Sequence, residues 1–123
     1  VNEQKPAKAE EKLSVKAGQD EGSATFILGD EDHTLGNALR HVLMQTAGTD
    51  FCGYSVPHPS EPYVHMRLQT DGEKTASGML KHGLEELGKS CTVIEDAFDK
   101  AFEEHEQVTP RGAAPARASR AAE

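Results

Sequence analysis

The sequence predicts an α+β domain in which an antiparallel sheet is covered by two helices. Three observations carry this expectation. From Tyr63 to Gln69 apolar and polar residues alternate, the period of a strand with one buried face. Leu35, Leu39, Val42 and Leu43 recur at i, i+4, i+7 and i+8, which sets them on one face of a helix. Leu80, Leu84, Leu87, Cys91, Ile94, Phe98 and Ala101 then step by four and three, the seam of a second and longer helix.

Taken in order, residues 1–22 are polar, with almost no large apolar side chain, and read as a disordered or weakly ordered N-terminal tail. Within it, Leu13 and Val15 could form a short edge strand. Ala24 to Leu28 reads as a strand with Phe26 and Leu28 on one face. The first helix opens near Thr34, where Asp32 or Thr34 can cap the free N–H groups and acids at 30–32 suit the positive end of the helix dipole. Gly36 stands out, because glycine inside a helix costs about 1 kcal/mol relative to alanine. Its presence suggests that another backbone approaches closely there, here read as one from a partner. The helix should end near Gly48, in the turn chemistry of Ala47-Gly48-Thr49-Asp50.

Phe51 to Val56 reads as a second strand with Cys52, Tyr54 and Val56 on one side. Pro57, Pro59 and Pro62 lack the N–H a ladder needs, so residues 57–62 form a rigid loop. Tyr63 to Gln69 is the next strand, with Val64, Met66 and Leu68 facing inward. After the turn at Asp71-Gly72-Glu73 the chain is helical to about Glu106. A helix of roughly 30 residues is about 45 Å long, wider than a domain of this size. A small sheet cannot cover the whole seam, so part of it should meet a second helix from another chain. Residues 108–123, rich in alanine with three arginines, read as a disordered C-terminal tail, which leaves 23–107 as the domain.

Composition narrows the function classes. Residues 23–107 hold 15 acids against 6 lysines and arginines, so this domain repels phosphate and direct sequence-specific nucleic-acid binding is disfavoured. No apolar run approaches the 18 residues of a membrane span and no start resembles a signal peptide, so a soluble, intracellular protein without a membrane partner is expected. Cys52 and Cys91 lack metal-knuckle spacing and read as reduced, buried small hydrophobes. The six histidines are scattered without ligand spacing, so neither a metal nor a cofactor is indicated. A Cys52/His58 nucleophile pair is conceivable, but Cys52 falls on the apolar face of its strand. No catalytic constellation is legible.

Asp32 to Arg40, reading DHTLGNALR, resembles the signature helix of the small alpha-like subunit of archaeal and eukaryotic RNA polymerases. Two further blocks match in the family's order: FCGYSVPHPSE at residues 51–61, and RLQT at 67–70 leading to GLEEL at 83–87. The resemblance runs from about Thr25 to Phe102, and the FCGYSVPHPSE wording is closest to the version shared by RNA polymerases I and III. It implies the alpha-subunit dimerisation-domain fold, similar to the bacterial alpha subunit and the archaeal L subunit. It also implies a non-catalytic subunit of the nucleus and nucleolus that pairs with the larger alpha-like subunit. The pair would form the platform on which the two largest polymerase subunits assemble. The interface candidates are Leu35, Gly36, Leu39, Val42, Leu84, Leu87, Cys91, Ile94 and Phe98, some of which must also face the chain's own sheet. Arg40, four residues after Gly36, is the candidate contact to a large subunit. Two alternatives from other classes are a free-standing homodimeric interaction domain and a small enzyme using Cys52 and His58.

Overall fold

The computed structural model describes residues 9–108 as two compact units, one ending at Gly88 and the other beginning at Lys89. Of the two expected tails, residues 1–8 and 109–123 lie outside the described residues. The elements are β1 (Leu13–Ala17), β2 (Ser23–Gly29), α1 (His33–Gln45), β3 (Thr49–Ser55), β4 (Tyr63–Thr70) and α2 (Ala76–Val108). The strands form one sheet in the order β1-β2-β4-β3, antiparallel throughout.

The core lies between one face of this sheet and the helices. Alternation sends Ala24, Phe26 and Leu28 of β2, Cys52 of β3, and Val64, Met66 and Leu68 of β4 to the same side, and all are buried. Register aligns them: Phe26 opposes Met66, Leu28 opposes Val64, and Leu68 lies between Ala24 and Cys52. Leu39 and Leu43 of α1, with Ala76, Met79 and Leu80 of α2, close the core from above. Leu35, Tyr54, Val56 and Leu87 pack around its margin.

β1 belongs to the stretch expected as a tail, so the sheet begins at Leu13 rather than at residue 23. Its register places Leu13 and Val15 opposite Leu28 and Phe26, on the core side, yet they remain 49% and 52% exposed. Backbone pairing therefore holds this edge strand more than burial does. Lys12 adds a tether, its Nζ donating to Gly29 O at 2.8 Å and pairing with Glu31 Oε1 at 2.6 Å. The strand expected at Leu13 and Val15 is thus present, inside a stretch whose overall composition reads as a tail.

Of the two caps expected for α1, Asp32 serves: its Oδ1 accepts from Thr34 N at 2.8 Å. This bond to the ionised carboxylate holds the Asp32 pKa below its ordinary value. The helix closes at Thr46, whose N–H donates to Leu43 O at 3.1 Å, and Gly48 at φ +95° reverses the chain into β3. At the start of α2, Thr75 Oγ1 accepts from Gly78 N at 3.0 Å, and Ala76 N donates to Glu21 O at 2.8 Å.

Two helical glycines mark close approaches. A Cβ on Gly36 would stand 2.7 Å from Tyr54 Cδ2, so a close neighbour of this glycine is the chain's own aromatic ring on β3. A Cβ on Gly83 would lie 2.5 Å from Leu43 Cδ2 and 2.9 Å from its Cγ, so α1 and α2 pack through this gap. Leu43 is fully buried and has little room to retreat. Gly88 differs, with no atom within 4 Å of such a Cβ, and α2 runs through it as one α-helix.

Alanine in an open helical position should stabilise by up to about 1 kcal/mol, whereas overpacking a core costs about 1–3 kcal/mol. Thermal melts should therefore rise for Gly88→Ala and fall for Gly36→Ala and Gly83→Ala. A gain in all three would mean that neither gap is needed. For Asp32, a lowered folded pKa means that its stabilisation is present above the usual carboxylate range and is lost as pH falls through the lowered value. The stability difference between wild type and Asp32→Ala should be constant from pH 7 down to about 5 and shrink below about pH 4. Equilibrium unfolding across that range checks it.

Candidate interaction surface

The blocks around α1 and β3 meet in one cluster. Tyr54, on the core side of β3, lays its ring beside Gly36, and its hydroxyl stands 3.0 Å from His33 Nδ1. The His33 and Tyr54 rings meet edge to face, with centroids 5.6 Å apart. The first residue of α1, its fourth residue and the penultimate residue of β3 thus form a single joint. Its role is to seat α1 on the sheet.

This joint divides the interface candidates. Gly36 and Leu39 are buried in the chain's own core, Leu39 with none of its surface exposed, so both contribute to the packing of this chain itself. Leu35 and Leu87 pack against the margin of the core and keep part of their surface, and Val42 is half-buried as well. Leu84 is 42% exposed. In the second unit the picture is different. Ile94 is 70% and Phe98 65% exposed, and Cys91, expected to be buried, is exposed.

Beside Leu13 and Val15 of β1, the exposed large apolar residues outside the candidate set are Val93, Phe102 and Val108 on α2, Met44 on α1 and Phe51 on β3. Phe102 stacks on Phe98 with centroids 6.0 Å apart, which extends the apolar stripe by a turn. Its four-residue spacing from Phe98 was a legible signal. Val93 and Met44 fall outside the heptad steps, and nothing in the pattern marks them.

Arg40 is half-buried, and its Nη2 donates to Asn37 Oδ1 at 2.6 Å on the same helix. That bond fixes the guanidinium while leaving other donors of its fork for a carboxylate.

The geometry removes the enzymatic alternative built on Cys52. Its thiol is buried against Met66, Sγ to Sδ 3.3 Å, and burial pushes its pKa up to about 11. The nucleophilic thiolate is therefore scarce at neutral pH. His58 is exposed in the proline loop and engages Ser60, with Nδ1 2.6 Å from Oγ. Among the described residues no group of three His, Cys, Asp or Glu side chains could hold a metal ion. No described helix is long and apolar enough to cross a membrane.

Comparison with known proteins gives this surface its context. The chain is 48% identical over 94 residues to DNA-directed RNA polymerases I and III subunit RPAC2 of Saccharomyces cerevisiae, covering 76% of this chain and 66% of the relative. The RPAC2 subunit of Danio rerio is 44% identical over 93 residues, covering 73% of this chain and 83% of the relative. The fold is similar to DNA-directed RNA polymerase subunit L from Thermoplasma acidophilum, with a TM-score of 0.67 at 21% identity over 80% of this chain and 96% of that one. Residues 23–97 match the family of the RNA polymerase Rpb3/Rpb11 dimerisation domain. With a fold, a core and an exposed helical stripe that agree with this match, the chain belongs to the Rpb3/Rpb11 dimerisation-domain family of RNA polymerase subunits.

Proposed function

We propose that this chain is the small alpha-like subunit shared by RNA polymerases I and III. In this reading it pairs with the larger alpha-like subunit, and the pair is the platform on which the two largest subunits assemble. It contributes no catalytic group of its own and works in the nucleus, including the nucleolus. The observation that carries the reading is the apolar stripe on α2, where Ile94 and Phe98 stand 70% and 65% exposed in a family defined by dimerisation.

Fully burying one such side chain stabilises by about 1.5–3 kcal/mol, so covering Ile94 and Phe98 together is worth several kcal/mol. That is enough to set the outcome of an association. Cys91 and Phe102 extend the stripe within the second unit. Leu84 is the exposed candidate of the first unit, and Leu35, Val42 and Leu87 retain partial exposure. Arg40 is the proposed contact to a large subunit, its guanidinium oriented by Asn37.

Co-expression with the larger alpha-like subunit should yield a soluble 1:1 complex, and Ile94→Ser/Phe98→Ser should weaken pairing by about 100-fold or more, each lost apolar contact costing at least about 1.4 kcal/mol. Binding titrations measure this, and unchanged affinity would remove the stripe from the interface. Arg40→Ala should leave the pair intact and reduce recovery of the largest subunits with it, as read by quantitative co-purification. Loss of pairing itself would show that Arg40 acts elsewhere.

A further inference from the structure

The apolar stripe on α2 has an acidic border. At 100° per residue, Glu95, Asp99, Phe102 and Glu106 follow one another at steps of four, three and four, a row flanking Ile94 and Phe98. The three acids are exposed, and none forms an ion pair among the described residues. Residues 89–108 hold six acids and two lysines. Lys89 and Lys100 fall on the helical face away from the stripe, so neither borders it. Glu95 and Asp99 are like charges at i and i+4, an arrangement that weakens an isolated helix. The helix therefore carries an unfavourable charge row beside the surface that it leaves uncovered.

This row decides which occupant the stripe accepts. A second copy of this chain, packed antiparallel and stripe to stripe, would bring the acidic borders together with no lysine or arginine of the described residues 89–108 between them. Such like-charge juxtaposition near a desolvated seam opposes association, and bordering charges set partner choice in paired helices. A helix whose apolar seam is edged by lysine or arginine would instead neutralise the row while covering Ile94 and Phe98. We infer that the Glu95-Asp99-Glu106 border of α2 disfavours self-pairing and selects a partner helix with a basic-edged apolar seam. The inference rests on the pairing reading given above and adds the chemistry of the partner.

The test uses the full chain with Glu95→Lys, Asp99→Lys and Glu106→Lys combined, beside the milder Glu95→Gln, Asp99→Gln and Glu106→Gln set. Self-association is followed by sedimentation, and affinity for the larger alpha-like subunit by titration, each at about 0.05 and 0.5 M salt, which brackets strong and weak screening. Circular dichroism verifies that the helix persists. Wild type should self-associate weakly, more so at high salt, and its affinity for the partner should fall with salt. The lysine set should raise self-association and lower partner affinity about tenfold or more each, with the glutamine set between. If wild type pairs, Ile94→Ser/Phe98→Ser does not, and the lysine set pairs like wild type, the charge inference fails while the pairing reading stands. If wild type does not bind the larger subunit, both fall.

Discussion

The seating of α1 on the sheet through Gly36 and Tyr54 is the contact on which the remaining arrangement depends. Because position 36 has no side chain, the Tyr54 ring lies against the helix, and its hydroxyl reaches His33 at the helix start. Two points of attachment, one in the first turn and one in the second, fix both the height and the rotation of α1. That rotation brings Leu39 and Leu43 down among Phe26, Met66 and Leu68. Leu43 in turn meets α2 at Gly83, so the second helix inherits its position from the first. The same seating answers why glycine stands at positions 36 and 83: each missing side chain leaves the space that Tyr54 or Leu43 occupies.

Much of this was legible beforehand. Alternation identified the buried faces of β2, β3 and β4, since a strand with one covered face has a period of two that few other arrangements imitate. The capping carboxylate of Asp32 and the length of α2 were readable for similar reasons. The neighbour of Gly36 was not. A glycine in a helix reports that something comes close, but its own sequence neighbourhood is silent on whether that is a distant part of the chain or another molecule. Leu39 and Ile94 present the same difficulty, because heptad spacing places both on apolar stripes and only tertiary packing separates core from surface. Leu39 is buried and Ile94 exposed although the local pattern around each is alike.

β1 was half legible. Leu13 and Val15 suggested a strand, but a strand held mainly by its ladder leaves a weak compositional trace. Edge strands are often shielded by charge, and here Lys12 and Glu31 stand at its start. Cys52 illustrates the opposite case, in which the sequence pattern already favoured packing over chemistry, and the burial that packs it also suppresses its ionisation.

The contrast between the two cysteines gives the molecule an intrinsic reporter. Cys52 is sealed in the core with its proton held tightly, while Cys91 stands in the open on α2 beside Ile94. A thiol-directed fluorophore would accordingly label one position in the native chain without any engineered substitution. Because that position borders the uncovered stripe, its labelling rate would register, with no substitution in the chain, whether this face of the helix is open to water or covered at that point.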